Sequence, residues 1–117
     1  MNTRILYMYR DAGNNKVYGD VVIHGTFTES QLEWINSLLS GFPENGFLPA
    51  KVGLPGLQEN FVAGSSYDSE LDHDWHELEG IEGTGAEPSI NLSASEVIQQ
   101  FSNVEKTGWD QLDSVFQ

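Results

Sequence analysis

Between Val52 and Glu105 the chain carries eleven acidic residues and no lysine or arginine, so nearly half of it must fold with no cation of its own to set against its carboxylates. Ionised side chains are almost never fully buried unless paired. The segment must therefore hold these acids at the surface, or bring a few of them to cations elsewhere. Cations are scarce: Arg4, Arg10, Lys16 and Lys51 face five acids in residues 1–51, and Lys106 faces Asp110 and Asp113 at the other end, for a net charge of -13. The densest part is Tyr67–Glu82, reading YDSELDHDWHELEGIE, where seven carboxylates and two histidines surround Trp75.

A field of that sign repels nucleic-acid phosphates and anionic lipid, and attracts basic protein surfaces or cations. Acidic surfaces also serve solubility alone, but eleven uncompensated acids exceed what solubility asks of a domain this small. The expected partner is a basic protein, either a nucleic-acid-binding protein or a toxin, with no direct contact to nucleic acid or membrane. Glu59, Asp68, Glu70, Asp72, Asp74, Glu79, Glu82 and Glu87 are the candidate partner-binding residues. The sequence leaves the oligomeric state open.

With 117 residues the chain is expected to form one domain around one core. It has no cysteine, which excludes disulfides and thiolate metal sites and agrees with a reducing compartment. The start, MNTRILYMYR, has too short an apolar run for a signal peptide or a membrane span, so a cytoplasmic protein is the simplest expectation.

Arg4–Arg10 and Val17–Gly25 are rich in Ile, Val and Tyr and flank the turn residues DAGNN, which predicts a β-hairpin. Both faces of the first strand carry apolar groups, and this places the hairpin at the centre of the sheet. An arginine ending such a strand, Arg10, is expected to meet a carboxylate of the acidic stretch. Thr28 with Gln31 and Ser93 with Glu96 form two capping boxes, each opening an apolar helical stripe: Leu32, Ile35, Leu38 and Leu39 in the first, Val97, Ile98, Phe101 and Val104 in the second. Gly41 stands where a glycine should end the first helix. Trp109, Leu112 and Phe116 suggest a third. Between the capped helices, FLPAKVGLPGLQ predicts a shaped apolar loop, with Leu54-Pro55-Gly56 in the type II pattern. Asp72–Leu78 is expected as a strand sending Trp75 into the core and drawing His73 and Glu77 inward as structural residues, a helix being the alternative that would gather His73, His76 and Glu77 on one face, followed by a Gly-rich acidic loop over Gly80–Pro88. The fold class is α+β: a small, mainly antiparallel sheet with two or three helices on one face, in a single domain.

Catalytic patterns are weak. Asp72, His73, Asp74, His76 and Glu77 are all ligand types, but the order HDWHE is not HExxH, and residues three apart on a strand face opposite ways, so His73 and His76 would not share an ion. The acidic alternation lacks the glycine and the closing glutamate of a calcium loop. No GxSxG, P-loop or dinucleotide fingerprint is present. No cofactor is expected, and a non-enzymatic protein is favoured over a small metal-dependent hydrolase built on His73 and His76.

The motifs YMYRDAGNNK, FLPAKVGLPGLQ and DHDWHELEGIEGT, followed by a short helix, resemble a family of small acidic proteins of bacterial genomes, prophages and other mobile elements. The resemblance covers most of residues 5–104. It implies a bacterial or phage origin and a compact α+β domain, and assigns no activity and no catalytic residue. A mobile-element setting brings in anti-defence inhibitors of the anti-CRISPR kind, whose acidic surface mimics nucleic acid. An immunity-type protein that neutralises a basic toxin is the alternative.

Overall fold

The structure is a computed structural model that describes residues 1–10, 14–41, 43–57 and 75–109. Its backbone is a four-stranded antiparallel sheet in the order β2-β1-β4-β3, built from β1 (Asn2–Arg10), β2 (Lys16–Ile23), β3 (Gly46–Phe47) and β4 (His76–Thr84). Two helices, α1 (Glu29–Leu38) and α2 (Ala94–Thr107), complete it. The fold is the small α+β domain expected. Among the described residues no helix is long and apolar enough to cross a membrane.

β1 is central because it pairs along its whole length on both sides, with Ile5 opposite Val21 on one and opposite Ile81 on the other. Alternation puts Ile5, Tyr7 and Tyr9 into the main core beside Val21 and Ile23, where Ile35 of α1 and Val97, Phe101 and Val104 of α2 meet them. The hairpin as a whole is not central. β2 is an edge strand, and the chain after β4 meets it near its end: Ser89 gives its N–H to the Val22 carbonyl and its hydroxyl accepts from the Val22 N–H, both at 2.8 Å.

β4 corrects the expected boundary between strand and loop. It runs through Gly80–Thr84, where the composition suggests a loop, because pairing to β1 supplies in backbone hydrogen bonds what the side chains of GIEGT do not. The register slips between Leu6 and Tyr7, so that Glu79 is left unmatched in a β-bulge. Leu78 and Ile81, three residues apart, consequently both pack on the core.

Both capping boxes form, Thr28 with Gln31 and Ser93 with Glu96. Only Ile35 of the first stripe is fully buried, since α1 lies at the margin of the core. The helix ends at Leu38, before Gly41: Leu39 turns extended, and the Trp109 indole N–H caps the free Leu38 carbonyl at 2.6 Å. Beyond Trp109 the expected third helix lies outside the described residues.

The apolar loop packs as expected but turns elsewhere. After β3, a 3-10 turn over Pro49–Val52 closes on Gly53 at φ 83, and it is Gly53, not Gly56, that takes the left-handed conformation a type II turn would have required of Gly56. Phe47, Leu48, Val52, Leu54 and Leu57 are all buried. β3 itself depends on Gly46, where a Cβ would lie 2.7 Å from the Pro43 carbonyl oxygen, whereas a Cβ on Gly41 would meet nothing within 4 Å. Gly46→Ala should therefore cost about 1–3 kcal/mol of unfolding free energy by overpacking. Gly41→Ala should stay within about 0.5 kcal/mol; urea denaturation of both variants measures the difference.

Candidate binding surface along the fourth strand

The sequence points to the acidic stretch, and β4 is its described part. Strand alternation divides its side chains. His76 and Leu78 turn inward, while Glu77 turns to the outer face opposite Met8. There Arg10 meets it: Nε lies 3.1 Å from Glu77 Oε2 and Nη2 3.4 Å from Oε1, a two-pronged contact, while Nη1 donates to Asn14 Oδ1 at 2.8 Å. Arg4 Nε approaches Asp20 Oδ2 at 3.6 Å on the same face, and Glu82 is its partner across the strands. Half-exposed pairs of this kind stabilise by at most about 1 kcal/mol. Their consequence here is that both arginines of the sheet's outer face have a carboxylate beside them, while Lys16 opposite Arg10 forms no ion pair among the described residues.

His76, not Trp75, is the core residue of the WHE sequence. The strand begins one residue later than the inward Trp75 requires, so the alternation is in the opposite phase. His76 is 0% exposed, and Nε2 accepts the Leu57 N–H at 3.0 Å. A backbone amide only donates, so Nε2 carries a lone pair and the neutral ring holds its proton on Nδ1. Tyr9 and Tyr7 pack against the ring at centroid distances of 4.9 and 5.9 Å, and Phe47 at 6.3 Å. Trp75 is half-buried and stacks edge-on to Trp109 at 6.1 Å.

Beside His76, Tyr7 gives its hydroxyl proton to the Pro55 carbonyl at 2.6 Å. Burial, with a smaller contribution from the Asp20 charge, pushes the Tyr7 phenol well above its ordinary value. Two neutral polar groups from adjacent strands thus fasten the loop at Pro55 and Leu57 onto the sheet. This clamp has no sequence signature beyond a tyrosine and a histidine in apolar alternation.

The remaining candidate carboxylates among the described residues face water. Glu79 at the bulge, Glu82 on the strand and Glu87 beyond it are all exposed. The ion pairs among the described residues are Arg4–Asp20 and Arg10–Glu77, and neither involves these three. Glu59, Asp68, Glu70, Asp72, His73 and Asp74 lie outside the described residues. For a metal centre, His76 is poorly placed, because its Nε2 lone pair is taken by Leu57 in the core. Among the described residues no cluster of three ligand-type side chains gathers.

Between α1 and the far edge of β4 lie two hollows of about 280 Å³ each. Both are lined by Leu32 and Ile81; Asn36, Asn45 and Leu78 continue the first, and Phe27 and Thr26 the second.

No family model, curated protein or solved structure matches the chain.

Two substitutions test the clamp. His76→Phe keeps a ring but removes the acceptor, and an unsatisfied buried Leu57 N–H should cost about 1–3 kcal/mol in urea unfolding. Tyr7→Phe should cost a similar amount near neutral pH. For the pH dependence, the folded state raises the phenol's pKa, so its contribution is complete below the ordinary value of 10.0 and is lost as pH rises above it. The stability gap between wild type and Tyr7→Phe should therefore narrow above pH 10, and a gap that widens there would contradict the assignment.

Proposed function

We propose that the protein is a non-enzymatic binding protein that engages a basic protein surface through the exposed carboxylates on and around β4, acting as an inhibitor of a partner whose own ligand is polyanionic. One observation carries the reading. The sheet's two arginines are paired to Asp20 and Glu77, so Glu79, Glu82 and Glu87 are exposed with no ion-pair partner among the described residues. They belong to a 54-residue span that supplies no cation. Charges arranged in this way steer a cationic partner by long-range attraction and set specificity more than they stabilise the fold. Inhibition of a nucleic-acid-binding defence protein, with carboxylates standing where phosphates would, is the form that fits both this charge and the prophage-like motifs. The clamp around His76 favours this reading over the hydrolase, since it assigns the described histidine of the cluster a structural task.

The test is affinity capture on immobilised protein at low and high salt, comparing wild type with the triple reversal Glu79→Lys, Glu82→Lys, Glu87→Lys and with a control reversal at Glu44 and Asp113. The captured partners should be basic. Capture should fall steeply with salt, because surface charges are screened over about 8 Å at physiological ionic strength. The triple reversal should lose at least tenfold and the control less than twofold. Capture indifferent to salt, or equal loss in both variants, would reject the reading.

A further inference from the structure

The two edges of the sheet differ in charge and in what lines them. On the β2 side the segment after β4 holds only the end of the edge, with Ser89 on Val22, His24 N–H on the Leu92 carbonyl at 2.9 Å and Ala94 N–H on the His24 carbonyl at 2.8 Å, while Lys16–Val21, which includes a lysine and lines neither of the two hollows, meets no such segment among the described residues. On the β4 side, β3 pairs only with His76 and Glu77, and Leu78 donates its N–H to the Asn45 carbonyl at 2.9 Å. From Glu79 to Thr84 no backbone partner lies on that side among the described residues. An unpaired edge is a template for another strand.

We propose that the edge of β4 from Glu79 to Thr84 accepts an extended, cationic segment of the partner protein as a fifth strand, with an apolar side chain of that segment entering the hollows beside Leu32 and Ile81. The proposal rests on the reading of the protein as a binder of basic partners and specifies how the partner is held. Backbone pairing of this kind supplies affinity, while pockets for alternate side chains supply selectivity.

Three observations choose the occupant. First, the hollows lie along the same unpaired residues: one takes in Glu79 and Gly80, the other Glu82 and Gly83. Second, the walls are of one sign. α1, ESQLEWINSL, and β4, HELEGIEGT, contain four carboxylates besides the paired Glu77 and no lysine or arginine. An incoming strand must answer Glu79 and Glu82, so lysine or arginine at alternate positions fits and acidic residues do not. Third, the same charge argues against a second copy of this chain, whose net charge of -13 would be brought against an equal charge. Glutamates and a bulge at an edge also prevent self-association; here they guard the edge against copies of the chain while leaving it attractive to a cationic strand.

The experiment uses the full chain, isotope-labelled, titrated with synthetic peptides and followed by amide NMR. The probe is an eight-residue alternating Lys-Val peptide; one comparison peptide carries N-methyl groups at alternate residues, keeping every charge but unable to pair as a strand, and another replaces Lys by Glu. The expected result is binding of the Lys-Val peptide with shift changes and slowed amide exchange confined to residues 79–84 and to Leu32 and Asn36. The N-methylated peptide should bind at least tenfold more weakly and the Glu peptide not at all. Glu79→Lys with Glu82→Lys, its fold checked by circular dichroism, should weaken the Lys-Val peptide by a similar factor. Equal binding of the methylated and unmethylated peptides, or shifts mapping away from β4, overturns strand addition but leaves electrostatic binding standing. Failure of both cationic peptides to bind even at low salt overturns strand addition and counts against the underlying reading as well.

Discussion

The structure turns on one hydrogen bond between two parts of the chain nineteen residues apart, from the Leu57 amide to Nε2 of His76. At that point the apolar loop and the first residue of β4 meet in the centre of the core, and Tyr7 adds the parallel link to Pro55 from the neighbouring strand. Packing alone would bury the loop's Leu54 and Leu57, but it would leave the Leu57 N–H to find a partner in an apolar interior and the Pro55 carbonyl to find one at its margin. Unpartnered, each such group costs about 1–3 kcal/mol. The imidazole and the phenol remove that cost without introducing charge. A carboxylate in either place would have to be desolvated, which is far more expensive than burying a hydrogen-bonded neutral group.

This choice shapes the electrostatics of the whole molecule. Because the interior links are neutral, they hold the loop to the acidic strand without drawing on the few cations, and Glu79, Glu82 and Glu87 are left on the outside. Arg10 and Arg4 tie down Glu77 and Asp20 on the outer face. What remains exposed near the free edge is negative on both sides, from α1 and from β4. The β2 edge differs in kind: its end is held by the protein's own chain at Val22 and its start carries Lys16, whereas the β4 margin presents backbone, hollows and carboxylates together.

How much of this the sequence discloses depends on the range of the interaction. The helix starts at Thr28 and Ser93 are legible because a capping box is complete within four residues. Arg10 meeting a carboxylate of the acidic stretch is legible from scarcity, and the structure makes that carboxylate Glu77. The course of β4 is not legible. Its Gly80–Thr84 half is strand because β1 pairs with it, a non-local cause that leaves no periodicity behind. The bulge at Glu79 puts Leu78 and Ile81 on the same face at a spacing of three, which breaks the alternation by which strands are read. The exchange of Trp75 for His76 as the inward residue has the same origin: a tryptophan has the larger apolar surface, and only the acceptor demand of a distant amide makes the histidine the better fit. Gly53 rather than Gly56 as the left-handed residue follows from the 3-10 turn before it, which Pro49 opens and composition alone does not locate.

His76 is thus where the structural and the functional accounts separate. As a neutral anchor it leaves the acidic strand free for the proposed docking; to act through Nε2 as a base or metal ligand it would have to give up the Leu57 bond. Long-range nitrogen–proton NMR correlation of the imidazole reads this directly. The account predicts the Nδ1–H tautomer, with Nε2 unprotonated and coupled through the hydrogen bond to the Leu57 amide, and a spectrum unchanged by added zinc. An Nε2–H tautomer, or ring signals that shift on adding zinc while the fold is retained, would contradict it.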